Sequence, residues 1–450
     1  MAEAKDLSAK LVIAEDGEEK VYPIEMVEDG LGTAKILLME SLKNAELIFL
    51  DKRLQKIAIY ESAITYIDGD KGILLYRGYP VEQLAEHSTY LKTAKLLRDG
   101  ELPGDKEYAG FKTRVLANME VNPAMLNIMK AYPPGTPAML LINTMMTSLG
   151  AFYPDLGDQN TTEGRENITT NFLAKMPTLV AGAIRVSRQE TVEDLQKLEF
   201  VKPKPELGFV ENFLRMCFAK NDADPYRPDP VVVDALNCLF ICHGDHEQNA
   251  STNVVRLVAE TDAPWCVTFP AGEGSLWGKL HGGAAQASAE MLAEIGGPEN
   301  VRGYLENIKA TGGKVMGFGH RIYKNGDPRA AIIEQVCVKV LGKLNLKDEM
   351  LETAQVLEKA VAEDPGYNGL RPNVDFRSGI LYSAMGFRPP EYTGLFALAR
   401  SAGWAAQWTE DLEKGKRDLG RPRQRYVGKG PRDLPMSARV QVASLAGPGH

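Results

Sequence analysis

The sequence predicts a mostly α-helical protein with a small β-rich N-terminal segment, and three observations carry that expectation. Apolar and polar residues alternate from about residue 11 to 70. Helical periodicity takes over after Pro80 and runs nearly to the end. Pro/Gly breaks at 133–137, 202–205, 223–230 and 365–372 cut the helical part into separate helices. No internal repeat or long low-complexity segment interrupts this plan.

Taken in order, Leu11-Val-Ile and Lys20-Val-Tyr-Pro-Ile read as short strands. The run from Ala63 to Tyr76 holds the turn Asp68-Gly-Asp-Lys-Gly72 between two apolar stretches, which predicts a hairpin. Between Val232 and His243, positions 232, 236, 239, 240 and 243 share one helix face, and His246 lies three further on. His281 stands in Gly278-Lys-Leu-His281-Gly-Gly, just before an alanine-rich helix. Asp327 is a cap, Pro328 suits a first helical position, and Ala330 to Leu341 reads helical. Asp375 follows a Pro/Gly-rich connection and on its own reads as an N-cap. Phe396 to Trp408 is an apolar helix carrying Arg400, and Arg421, before Pro422, is biased to extended backbone.

With 450 residues, 44% hydrophobic and 25% charged, the chain is long enough for a large core and more than one domain. A net charge of −8 argues against nucleic acid or an anionic membrane as partner, although the stretch from Lys414 to His450 holds nine Lys/Arg against two Asp. Five cysteines without a CxxC pair suggest neither a disulfide framework nor a zinc ribbon. No apolar signal core or membrane-length run is visible, and the expected location is the cytoplasm.

Four of the six histidines, His243, His246, His281 and His320, fall within 78 residues. A metal held by His243, His246 and Glu247 is conceivable, but the spacing is not that of the H-E-x-x-H helix and no third ligand is identifiable, so no metal is expected. A histidine at a helix N-terminus, as at His281, is pushed toward its neutral form and can donate to a developing enolate. The segment Lys314-Val-Met-Gly-Phe-Gly-His320-Arg-Ile-Tyr-Lys-Asn-Gly-Asp-Pro-Arg329 joins a glycine-flanked histidine to an arginine at a helix start, a site suited to a carboxylate.

Together His243-Gly-Asp-His-Glu-Gln-Asn-Ala-Ser-Thr, Ser275-Leu-Trp-Gly-Lys-Leu-His281-Gly-Gly-Ala, Val315-Met-Gly-Phe-Gly-His320, Pro372-Asn-Val-Asp375-Phe and Arg421-Pro-Arg-Gln resemble the citrate synthase family. Order and separation match from about Ala63 to Arg425, and the length resembles the longer bacterial type. The resemblance implies a two-domain helical fold: a β-rich segment at 1–62, a large domain at 63–282 and 397–450, and a small domain at 283–396. It implies catalysis by His281, His320 and Asp375. Oxaloacetate would be held by His243, His320, Arg329 and Arg400, with Arg421 supplied by a neighbouring subunit. Val315, Met316, Gly317, Phe318, Gly319 and Asn373 would contact coenzyme A. Acetyl-CoA would be a co-substrate, with no permanently bound cofactor, and the assembly a homodimer or a hexamer built as a trimer of dimers.

Two departures are visible. Family members inhibited by NADH carry an Arg-His pair where this chain has Ala117-Asn118, so such inhibition is not expected. The lysine often found before Pro-Asn-Val-Asp is missing, and Arg371 or Arg377 is the candidate replacement toward a coenzyme A phosphate. Two other functions share these motifs: 2-methylcitrate synthesis from propionyl-CoA, since one methylene is worth only about 1–3 kcal/mol of discrimination, and noncatalytic CoA binding in an assembly.

Overall fold

Strand alternation near the N-terminus produces a real sheet. In the computed structural model, which describes residues 7–436 apart from 16, 43–46, 55, 321, 325, 345–348, 368 and 416–418, β1 (Ser8–Glu15), β2 (Glu18–Glu28) and β3 (Lys35–Leu37) form an antiparallel sheet in the order β1-β2-β3. Register pairs Val12 with Val21. Ile24 and Leu42 are its buried centre, with Ala9, Leu11 and Tyr22 packed around them. Residues 1–61 and 421–450 make up this unit, and residues 62–420 form a second one. Part of the basic C-terminal stretch, 416–418 and 437–450, lies outside the described residues.

The second unit opens with the expected hairpin. β4 (Thr65–Asp68) pairs antiparallel with β5 (Ile73–Tyr76), and β5 with the short β6 (Tyr79–Pro80). Asp68 Oδ1 accepts from the N–H groups of Asp70 and Lys71, closing the turn. Gly69 at its tip is required by packing, because a Cβ there would lie 2.2 Å from the Ile322 carbonyl oxygen. That close approach lets the Lys324 N–H donate to the Gly69 carbonyl, and the hairpin backs the loop carrying His320.

Helices follow from Val81 onward: α1 (Val81–His87), α2 (Tyr90–Asp99), α3 (Asp105–Ala117), α4 (Pro123–Lys130), α5 (Ala138–Phe152), α6 (Thr162–Ser187), α7 (Val192–Lys197), α8 (Phe209–Phe218) and α9 (Pro230–His243). Next come α10 (Ala250–Ala259), α11 (Trp265–Leu276), α12 (Ala284–Ile295), α13 (Val301–Thr311), α14 (Pro328–Leu344), α15 (Glu349–Glu363), α16 (Val374–Ala384) and α17 (Tyr392–Glu413). Three of the four expected Pro/Gly breaks fall between helices, and the fourth, 223–230, ends on Pro230, the first residue of α9.

Local chemistry sets several starts. Asp229 caps α9 through the Val231 N–H, with Pro230 at the first position. α14 begins at Pro328 behind Asp327, as its sequence indicates. The apolar α17 is buried along nearly its whole length and packs on α2, α6, α9, α10 and α11, so it forms the axis of the core. α14 packs on both α9 and α16, α12 on α16, and α13 on α15. No helix among the described residues is long and apolar enough to cross a membrane.

Candidate active site

Two loops distant in sequence are tied together here. The Gly319 N–H donates to the Arg371 carbonyl at 2.8 Å, and the Asn373 N–H donates to the Gly317 carbonyl at 2.9 Å. The Asn373 side-chain amide adds a bond to the Gly319 carbonyl at 2.9 Å, and Phe318 pairs with Pro372 as an antiparallel bridge. Gly317, at φ +77°, sits where a Cβ would fall 2.4 Å from Ser288 Oγ. The His320 loop is thereby fixed against the start of α16, which carries Asp375.

Asn373 is the cap of α16: its Oδ1 accepts from the Asp375 N–H at 3.0 Å. The N-cap reading of Asp375 is therefore corrected by two positions, and its carboxylate is released from capping. Asp375 Oδ1 is shielded from solvent and has no hydrogen-bond partner. Burial pushes this carboxyl up to about 7, against the pull of Arg329 and Arg400.

Hydrogen bonds fix the histidine tautomers. His320 Nδ1 accepts from the N–H groups of Ile322 at 3.1 Å and Tyr323 at 3.3 Å, so the proton of the neutral ring is on Nε2. Burial and then Arg329 lower its pKa to about 4, which keeps it neutral. His281 Nε2 faces the Ser251 N–H at 3.3 Å and the Ser251 hydroxyl at 3.0 Å, which puts the neutral ring's proton on Nδ1. Ser251 in turn accepts from the indole N–H of Trp404 at 3.1 Å. His243 Nδ1 donates to the Leu239 carbonyl at 3.0 Å, and burial with Arg329 and Arg400 lowers its pKa to about 3.

Two guanidinium groups are buried among these rings, Arg329 at 3% and Arg400 at 1% exposure. Arg329 is held by Asp327 through two bonds, Nε to Oδ1 at 2.9 Å and Nη2 to Oδ2 at 2.8 Å. Burial works against both charges, yet the pairing wins: Arg329 is raised above the usual arginine range and Asp327 lowered below the carboxylate range. Arg400 donates from Nε to the His243 carbonyl at 2.8 Å, and its buried Nη1 has no partner. Burial brings it down to about 10.

Sequence reasoning missed the residues that pack this site. The Phe396 ring lies 4.5 Å from the His243 ring, 6.4 Å from the His281 ring and 4.9 Å from the Arg400 guanidinium. His246 is drawn in through Tyr323: its Nε2 is 3.1 Å from the Tyr323 hydroxyl, and its ring 5.4 Å from that of His320. Asp245, fully buried, accepts from Thr65 and from Gln407. Ser251 lies inside the His243 motif, three residues past Gln248, but nothing in its sequence context marks it as a partner of His281.

Of the coenzyme A candidates, Val315 is buried, while Met316, Phe318 and Asn373 are partly exposed. Arg377 is overturned as a phosphate ligand, because it is buried and paired with Glu358 and, at 3.2 Å, with Glu334. Arg371 is exposed. Arg421 is exposed as well and belongs to the unit of residues 1–61 and 421–450.

Comparison with known proteins bears on the family and the fold. The family model described as citrate synthase, C-terminal domain, matches residues 53–423. Citrate synthase 1 of Mycobacterium tuberculosis is 42% identical over 381 residues, 84% of this chain and 86% of that one. A solved citrate synthase from Thermoplasma acidophilum, a ternary complex with carboxymethyl coenzyme A and oxaloacetate, superposes with a TM-score of 0.78 at 30% identity, covering 87% of this chain and 100% of its own. The structure from Pyrobaculum aerophilum gives 0.76 at 30% identity over 92% and 98%.

Proposed function

This chain belongs to the citrate synthase family, and on that premise we propose how its own residues perform the family's reaction, the condensation of acetyl-CoA with oxaloacetate and water to give citrate and CoA. The observation that carries the assignment of residues is the pair of buried guanidinium groups, Arg329 and Arg400, set among histidines held neutral. Two buried cations with an unpartnered Nη1 suit a dicarboxylate.

Asp375 removes a proton from the acetyl methyl group, and His281 stabilises the enolate by donating from Nδ1 to the thioester oxygen. A thioester α-proton is too weakly acidic for a solvated carboxylate, and a carboxyl raised to about 7 by burial is a stronger base. The new carbanion attacks the ketone carbon of oxaloacetate while His320 donates its Nε2 proton to the carbonyl oxygen. Arg329, Arg400 and His243 hold the two substrate carboxylates. Water then cleaves the citryl-CoA thioester, releasing citrate and the CoA thiol.

Gly317 and Gly319 engage residues 371–373 through their backbone and Val315 is buried, so Met316 and Phe318 supply most of what the loop offers to coenzyme A, with Asn373 beside them. Acetyl-CoA is a co-substrate here, not a resident cofactor. The helical body divides into a large domain, 63–282 and from 397 to 420, and a small domain, 283–396, that closes over the substrates and excludes water, while residues 421–450 group with the N-terminal unit. The assembly is a homodimer, alone or as a trimer of dimers, with Arg421 reaching the partner's oxaloacetate site. The enzyme works in the cytoplasm.

Free thiol release, followed with oxaloacetate and either acetyl-CoA or propionyl-CoA, tests this reading. Release with acetyl-CoA that stops when either substrate is omitted supports it. Release only with propionyl-CoA would assign 2-methylcitrate synthesis, and none at all would leave a binding protein.

A further inference from the structure

A cavity in the unit of residues 62–420 lies apart from these catalytic groups. It holds about 1100 Å³ between the turn after β5, α2, the start of α3, the start of α6 and the end of α17. That is at the upper end of small-molecule sites, roughly 300–1,000 Å³. Phe111 is the one large apolar side chain lining it, so an apolar ligand has nothing to bind.

Its charges are layered. Four cations make the floor: the side chains of Arg77, Lys95, Arg98 and Arg165 are 14%, 6%, 10% and 8% exposed. Lys95 and Arg98 sit over the Phe111 ring at 5.5 and 5.4 Å, which holds both heads at the cavity wall. Arg165 Nε is buried with no hydrogen-bond partner. Three neutralising carboxylates stand at the rim: Glu107, Glu166 and Glu413 are 58%, 41% and 53% exposed. Two acids lie near the floor, Glu410, 3.8 Å from Arg77, and Asp99, paired with Lys95 and Arg98.

Whereas Asp99 is bonded to Lys95 and twice to Arg98, the three rim carboxylates are weakly held, since exposed ion pairs contribute about 0–1 kcal/mol. An anion carrying several charges can replace them at the floor, and the displaced groups turn into water at little cost. One helix N-terminus adds to this: α3 starts behind Gly104 with no side-chain cap, with Asp105 and Glu107 in its first turn, whereas α6 is capped by Thr161 through the Gly164 N–H.

We propose that this cavity binds a polyanionic phosphate, either an inorganic polyphosphate chain or the triphosphate of a nucleotide, through Lys95, Arg98 and Arg165. Phe111 is 3% exposed and presents no face on which a base could stack, so the phosphates, not the nucleoside, are recognised.

The test is calorimetric titration of the full chain with tripolyphosphate and, separately, ATP, both with oxaloacetate and CoA present at saturation to block the catalytic site. Expected are similar affinities for the two ligands and a steep loss with added salt. Arg98→Leu and Lys95→Met should each weaken binding about tenfold or more, roughly 1.4 kcal/mol. Glu107→Gln and Glu166→Gln remove rim competitors from exposed positions, so they should fold normally and tighten binding several-fold. Absence of binding at millimolar ligand, or rim variants without effect, would each overturn the proposal. Tighter binding of ATP than of tripolyphosphate would place the recognition in the nucleoside and overturn the phosphate reading.

Discussion

The indole N–H of Trp404 donates to the Ser251 hydroxyl at 3.1 Å, and that hydroxyl lies 3.0 Å from His281 Nε2. A residue on α17 thus orients the hydroxyl that faces the proposed enolate-stabilising ring. Because the Ser251 backbone N–H also points at Nε2, Ser251→Ala should keep Nε2 of His281 an acceptor while loosening its orientation. Turnover should fall about tenfold with little change in the KM for oxaloacetate. The unpartnered indole N–H should cost about 1–3 kcal/mol of stability. Steady-state kinetics with denaturant unfolding checks both, and unchanged turnover would remove Ser251 from positioning His281.

Asp375 should impose a pH dependence on kcat/KM. Its carboxyl must be ionised to act as base, and burial raises it to about 7, so kcat/KM should climb between pH 6 and 8 and level off above. Asp375→Asn should lose roughly 10²–10⁴ in turnover while still binding oxaloacetate. The same shift acts on stability. Between 3.8 and about 7 the folded state holds a proton that the unfolded state has released, so stability falls as pH rises through that window. The Asn variant should therefore gain thermal stability over the parent at pH 8 and not at pH 4. Near-normal turnover would exclude Asp375 as the base.

Arg329 and Arg400 were equivalent in the sequence and are not in the structure. Arg329 is locked to buried Asp327, whereas Arg400 bonds a carbonyl. Arg329→Leu strands a buried carboxylate and should cost about 3–5 kcal/mol in unfolding free energy. Arg400→Leu should be milder in stability yet weaken oxaloacetate by about 2–5 kcal/mol. Denaturant unfolding beside oxaloacetate titration distinguishes them, and equal destabilisation would deny Asp327 its role as the counter-ion.

Features legible in the sequence were those set by neighbours along the chain. Asp68 to Gly72 closes a hairpin, Asp327-Pro328 opens a helix, and glycines flank His320 because backbone packs there. Where two adjacent residues could do one job, the reading slipped: Asn373 and Asp375 both suit a cap, and only the bond to the Asp375 N–H decides. What stayed hidden depended on contacts between distant helices. Ser251 and Trp404 stand 153 residues apart, and Phe396 looks like any apolar residue of α17 until His243 and His281 are packed against it. Arg377 failed as a phosphate ligand for the same reason, since its partners Glu334 and Glu358 lie on α14 and α15.

Glu273 predicts a second pH effect, far from any charge partner. It is fully buried on α11, accepts from the Asn143 amide on α5, and keeps Oε1 without a partner. Burial raises it from 4.5 to about 8. The folded protein thus retains a proton across that range and loses stability as pH rises through it. Glu273→Gln preserves the acceptor for Asn143 and should raise the melting temperature at pH 9 while leaving it nearly unchanged at pH 5. A parallel shift at both pH values would mean that Glu273 ionises freely in the fold.

Arg421 carries the prediction that distinguishes a shared site from a self-contained one. It is exposed, is biased toward extended backbone by Pro422, and is proposed to complete the oxaloacetate pocket of a partner subunit. If so, Arg421→Ala and His281→Ala homodimers should both be nearly inactive, each lacking one essential group in both sites. A mixed dimer places both lesions in one site and leaves the other intact, so purified mixed dimers should regain about half the activity of the parent dimer, as expected for a residue crossing a two-fold interface. Were Arg421 to act within its own chain, each site of the mixed dimer would carry one lesion and activity would stay near zero. Correctly assembled mixed dimers that remain inactive would therefore overturn the shared site while leaving the roles of His281, His320 and Asp375 untouched.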